Sequence, residues 1–117
     1  MQQREHVTID ATDKVLGRLA TQVALILMGK NRATYIPRID AGAHVRVTNI
    51  DKMKYTGKKL EQKELIHHSF HPGGIKRIPL KRALEADSRK VFARAVSKML
   101  PRNTHRSARM ARLIIEK

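Results

Sequence analysis

The run VTID at residues 7–10 is followed by apolar side chains at Val15, Leu16, Leu19, Val23, Ile26 and Leu27. HVRVTNI at 44–50 then alternates apolar with polar. This change of hydrophobic period, from extended to helical and back, narrows the possible folds more than any other feature of the chain. Two strands separated by a helix-length crossover point to a right-handed βαβ unit. Thr12 and Asp13 offer oxygens to cap the helix start. Gly17, inside the helical pattern, is expected to mark a close approach of neighbouring backbone. Gly29 is placed to end the helix, with Lys30 and Arg32 just past its negative end.

Downstream, MKYTGKKLEQKEL at 53–65 holds a glycine-centred turn with an extended piece on at least one side. Two helical stretches follow, PLKRALEA at 79–86 with Pro79 at a tolerated helix start, and a second from Asp87 or Ser88 to Leu100, stopped by Pro101. HRSARMAR at 105–112 reads as a short basic helix and LII at 113–115 as a last buried strand. The order β-α-β-(irregular)-α-α-β predicts an α/β layered domain. At 117 residues, without repeats or linkers, residues 1–117 are expected to form a single domain. The N-terminus MQQREHVTID has no apolar segment of the secretory kind, and VALILM at 23–28 is far too short to span a bilayer, so a soluble protein without a membrane partner is expected.

Charge narrows the function. Lys and Arg total 25 against 10 acids, for a formal net charge of +15. The excess is uneven: residues 1–64 carry 12 basic and 7 acidic side chains, residues 65–115 carry 12 and 2, and no acid falls between 88 and 115. Such a surface repels itself until an anion covers it, and nucleic acid is the strongest candidate. The basic runs GKNR (29–32), YTGKK (55–59), GGIKRIPLKR (73–82) and KMLPRNTHRSARMAR (98–112) come from separate parts of the chain. That distribution fits wrapping by folded RNA better than a reader of one DNA groove. With only Tyr35, Tyr55, Phe70 and Phe92 as aromatics, a platform that stacks several successive bases is disfavoured.

LIHHSFHPGGIK at 65–76 sets His67, His68 and His71 directly before Pro72-Gly73-Gly74. A zinc site is disfavoured, because adjacent histidines in an extended segment point apart and no cysteine or local acid completes a ligand set. PGG lacks the further glycines and the Lys-Ser/Thr pair of a nucleotide cradle. Its safer meaning is backbone freedom at Gly73 and Gly74, allowing close approach to a phosphate backbone beside Lys76 and Arg77. Ser69 has histidine neighbours but no acid to orient them, and no constellation meets the requirements of an active site. Neither a catalytic residue nor a cofactor nor a small-molecule substrate is expected.

DKVLGRLATQVALILMGKN (13–31), TYIPRIDAGAHVRVTNIDKMKYTGKK (34–59), HSFHPGGIK (68–76) and AVSKMLPRN (95–103) resemble, in this order, motifs of the universal large-subunit ribosomal protein thirteen family, in its bacterial or organellar form. The resemblance covers about residues 7 to 115. It implies a structural, non-catalytic protein of the large ribosomal subunit that binds the 23S-type rRNA, supports assembly and meets neighbouring large-subunit proteins. It implies a cytoplasmic ribosome, or an organellar one. The implied fold is a three-layer α/β/α domain around a four-stranded, mostly parallel sheet, with a basic C-terminal helical region. The family's RNA-facing positions fall on Lys30, Lys58, Lys59, the loop containing His68, Ser69, His71, Gly73, Gly74 and Lys76, and on Lys98, Arg102 and Asn103. The basic runs add Arg32, Arg77, Arg106 and Arg109, and Arg38 joins them from the connection KNRATYIPRIDAGA. Phe70 and His71 depart from the family, which usually has a glycine followed by an aromatic there. A free-standing nucleic-acid-binding protein, DNA-compacting for example, is the alternative with the same charge.

Overall fold

The structure is a computed structural model that describes residues 4–117. It is a mixed α/β fold. Strand β1 (His6–Asp10), helix α1 (Leu16–Met28) and strand β2 (His44–Thr48) form the expected βαβ unit, with β1 and β2 parallel and in register from His6↔His44 to Asp10↔Thr48. After a 3-10 turn (Ile50–Lys52) come the short helix α2 (Lys59–Gln62) and an antiparallel pair, β3 (Glu64–His68) and β4 (Ile75–Pro79). Helix α3 (Leu80–Met99), helix α4 (His105–Ala111) and strand β5 (Leu113–Ile115) complete the chain. β5 pairs parallel with β2, giving the sheet order β1-β2-β5.

The core follows from the alternation in the strands. Ile9, Val45 and Val47 point to one face and are buried against Leu19, Val23 and Leu27 of α1 and Phe92 and Val96 of α3. The other face is Thr8, Arg46 and Ile114, one register row across three strands, all exposed. The three-layer, four-stranded expectation is therefore corrected. The parallel sheet has three strands, and among the described residues its second face carries no helix layer. A covering layer needs apolar side chains on both faces of a parallel sheet, and here that second face presents Thr8, Arg46 and Thr48. β3 and β4 pair with each other because a short loop closes at little entropic cost, and the hairpin leans on α3, where the Arg94 Nη2 donates to the Ile66 carbonyl at 2.8 Å.

Three local readings resolve differently. Thr12 does not cap α1: its N–H and hydroxyl both donate to Asp10 Oδ1, at 3.0 and 2.7 Å, and Val15 occupies the cap position with no side-chain bond. Residues 11–15 instead keep following the chain that leaves β2, through Ala11 N–H to Thr48 O, Asp13 N–H to Lys52 O and Lys54 N–H to Lys14 O. Gly17 has nothing within 4 Å of where a Cβ would sit, so it marks no close approach. Gly42 does, since a Cβ there would lie 1.6 Å from the Leu27 carbonyl oxygen. The two helical stretches after Pro79 form one run broken at Asp87, whose backbone is extended (φ −163°, ψ 104°) and whose Oδ1 accepts from the Arg89 N–H. Gly29 ends α1 in the left-handed conformation, φ 80°, as expected.

Candidate nucleic-acid interface

The stretch 65–76 is a hairpin and its loop. In the antiparallel register Leu65 faces Ile78 and His67 faces Lys76 on one side, while Ile66 faces Arg77 and His68 faces Ile75 on the other. Leu65 and Ile78 line a cleft of about 570 Å³ against Ala83, Ala86 and Val91 of α3. The loop 69–74 is closed by its own bonds. Gly74 O accepts from the Ser69 N–H at 2.8 Å and from Ser69 Oγ at 3.0 Å, and the Gly74 N–H donates to His71 O at 2.9 Å. Gly73 sits at φ 71° with open space around it. Gly74 has a different reason to be glycine: a Cβ would stand 2.1 Å from Ser69 Oγ. Its small size serves closure of the loop, whereas Gly73 serves its turn. His68, His71, Lys76 and Arg77 are exposed, and Arg77 Nη1 lies 3.9 Å from Glu64 Oε2, a loose surface pair.

Around Gly57 (φ 60°), Lys58, Lys59 and Lys63 rim one shallow depression. Lys63 also lines a second depression with Lys98 and Arg94 of α3. Lys63 therefore links the turn at 56–59 to the end of α3, 40 residues apart in sequence, across a depression whose other lining is Glu64 and apolar side chains of α1, β3 and α3. Lys63 and Arg94 are the members that sequence reading missed. Lys63 follows Lys59 by four, a helical spacing that a recognised α2 would have revealed. Arg94 had no local signal, because its relation to β3 is purely tertiary.

The remaining candidates divide. Lys30 and Arg38 are exposed in the 29–43 connection, and Arg32 Nη2 pairs with Glu5 Oε1 at 2.8 Å. Arg102 and Asn103 are exposed, and Asn103 Oδ1 accepts the His105 N–H at 3.1 Å, starting α4. His105 Nε2 lies 3.2 Å from the Arg38 carbonyl oxygen, which brings the 29–43 connection beside α4. Arg106 is half-buried.

Arg109 is corrected outright. It is 1% exposed, with its Nε 3.5 Å from Asp40 Oδ1, and so belongs to the interior. Three positions on, Arg112 reaches the same carboxylate through Nη1 to Oδ2 (2.7 Å) and Nη2 to Oδ1 (2.8 Å), and also donates to Leu27 O at the end of α1. Burial alone would raise the Asp40 pKa, but the Arg112 hydrogen bonds and the charges of Arg112, Arg4 and Arg109 outweigh it and hold the carboxyl below its ordinary range. Two cations of the acid-free C-terminal stretch are thus spent on the fold, paired with an acid some 70 residues upstream.

On the sheet's open face the rings of His6 and His44 stack at 4.8 Å between centroids. His44 titrates below its ordinary value, through burial first and then the nearby charges of His6, Arg112 and Arg4.

Fold and surface together define a small α/β protein whose exposed cations are gathered from several elements, the class that binds polyanions by charge and shape. The chain belongs to a particular family of that class: the family model described as Ribosomal protein L13 matches residues 4–115. It is 52% identical over 100 residues to a protein named large ribosomal subunit protein uL13 from Clostridium tetani, covering 86% of this chain and 69% of that one. A protein of the same name from Chloroflexus aggregans is 45% identical over 115 residues, covering 98% and 77%. Another from Thermotoga petrophila is 46% identical over 101 residues, covering 86% and 68%.

Proposed function

We propose that this chain is a structural, non-enzymatic constituent of the large ribosomal subunit that acts as a single domain, binds the large-subunit rRNA and supports assembly beside neighbouring large-subunit proteins. The bacterial relatives that carry this name support placing it on cytoplasmic ribosomes. The observation that carries the RNA-binding part is the gathering of Lys58, Lys59, Lys63, Arg94 and Lys98 from the 56–63 segment and α3 beside the hairpin. Arg38, Lys76, Arg102 and Lys30 extend the contact set, with Arg32, Arg77 and Arg106 as weaker members. His68, His71, Ser69 and Asn103 supply hydrogen bonds, and Gly73 and Gly74 shape the loop. Lysines there neutralise phosphate charge and release counterions, which supplies affinity without sequence readout.

Sedimentation of a tagged copy from lysate through a sucrose gradient, with and without ribonuclease, tests the reading. Co-migration with the large subunit, lost on ribonuclease treatment, is expected. A copy that stays at the top or follows chromosomal DNA overturns it in favour of a free-standing DNA binder.

A further inference from the structure

Phe70 is the most exposed large apolar side chain among the described residues, at 95%, while the others so exposed lie between 38% and 57%. It stands at the tip of the β3–β4 loop with φ 65°, a conformation that an aromatic residue adopts only under constraint. The constraint is visible. The Phe70 N–H donates to His68 Nδ1 at 2.8 Å, and the Ser69, His71 and Gly74 bonds close the loop beneath it. The His68 and Phe70 rings lie near-perpendicular with centroids 6.3 Å apart, and the phenyl ring keeps almost all of its surface in solvent. Because His68 Nδ1 must accept, its Nε2–H is the donor left for a partner.

A solvated phenyl ring held in a strained backbone is unfavourable for the free protein on both counts. What it would meet is set by its surroundings. His71 is its neighbour in the loop, His67 and Lys76 face each other across the strands below, and the one acid near the hairpin, Glu64, lies at its far end beside Arg77. An apolar protein pocket would not call for such cations, and a basic partner would be repelled by them. A partner that brings a flat π face and a negative charge in one unit fits both features, and that unit is a nucleotide.

We propose that Phe70 is a stacking finger that receives an unpaired base of the large-subunit rRNA on its ring, with Lys76 neutralising the adjoining phosphate. This rests on the rRNA-binding reading above and adds one specific contact to it. Fixing the ring in advance removes the ordering cost at the moment of binding.

The chain has no tryptophan, so Phe70→Trp creates a single fluorescent reporter. With the full chain and a transcript of bacterial large-subunit rRNA as the probe, Phe70→Trp should bind and its emission should be quenched by the stacked base. Phe70→Gly should weaken binding about five- to 150-fold, the equivalent of one stacked base. It should at the same time leave the thermal midpoint unchanged or raise it, since glycine is at ease at positive φ. Phe70→Leu, apolar but not aromatic, should lose affinity like the glycine variant. Weaker binding with no loss of stability is what a structural role could not produce. Unchanged rRNA affinity in Phe70→Gly, unquenched emission of the bound tryptophan variant, or a joint loss of stability and binding would each overturn the stacking role. A Phe70→Gly chain that binds rRNA normally but joins the subunit poorly would assign the ring to a neighbouring protein, and also overturns it. If the wild-type chain itself fails to bind the transcript, the rRNA-binding reading falls and takes this contact with it.

Discussion

Removing the Asp40 carboxylate should damage this protein more than removing any exposed cation. The side chain is 13% exposed and touches guanidinium groups that are 1% (Arg109) and 8% (Arg112) exposed. In Asp40→Ala, Arg112 keeps its bond to Leu27 O. Arg109 loses the carboxylate 3.5 Å from its Nε, and its buried Nε and Nη1 have no hydrogen-bond partner among the described residues to replace it. Leaving such a charge buried and unpaired costs about 3–5 kcal/mol, a large share of the roughly 5–15 kcal/mol that holds a domain folded. At about 4–8 °C per kcal/mol for a domain near this size, the thermal midpoint should fall by at least roughly 12 °C. Thermal and urea unfolding followed by far-ultraviolet circular dichroism would measure it. Adding Arg109→Met to Asp40→Ala should recover part of the loss, since it removes the orphaned charge while keeping volume. The pH dependence has a definite sign. Asp40 titrates below its ordinary 3.8 in the fold, so its contribution is whole above that value and drains away as pH falls through the lower folded one. Wild-type and Asp40→Ala stabilities should therefore converge in acid. A loss under about 1 kcal/mol at neutral pH, the size of a surface pair, together with no recovery from Arg109→Met, would refute the reasoning.

Other consequences separate the glycines and the cations. Gly42→Ala should destabilise by about 1–3 kcal/mol or more, because its Cβ falls 1.6 Å from Leu27 O, whereas Gly17→Ala should stabilise by about 0.5 kcal/mol; denaturant midpoints of the two variants decide it. Replacing Gly73-Gly74 by Ala-Ala should reduce incorporation into the large subunit while the unfolding midpoint stays near wild type, since the strain is confined to an exposed loop; gradient sedimentation and circular dichroism read the two effects separately. If the exposed cations meet about 6–10 phosphates, rRNA affinity should drop about 10³–10⁵-fold between 50 and 200 mM salt, and Lys63→Gln should reduce the salt slope by close to one contact.

Much of this protein was written locally. The change of period from β1 through α1 to β2, the left-handed stop at Gly29, the break at Asp87, the stop at Pro101 and the strand at 113–115 all depend on neighbours a few residues away, so sequence alone carried them. The alternation in HVRVT even contained the open sheet face, because Arg46 between Val45 and Val47 has to point away from the core. Family motifs carried the ribosomal identity and most of the residues proposed to meet rRNA.

Tertiary structure alone decided the rest, wherever a residue's role depends on a partner far along the chain. Sequence marks Arg109 as one more cation in a basic run, and only folding brings Asp40 to it and withdraws it from the surface. The hairpin, with its mostly exposed strands, lacks a strong two-residue period, so Lys63 and Arg94 came together with Lys98 only once β3 lay against α3. Charge is counted in sequence, but its availability is set in space, by which few acids reach which cations.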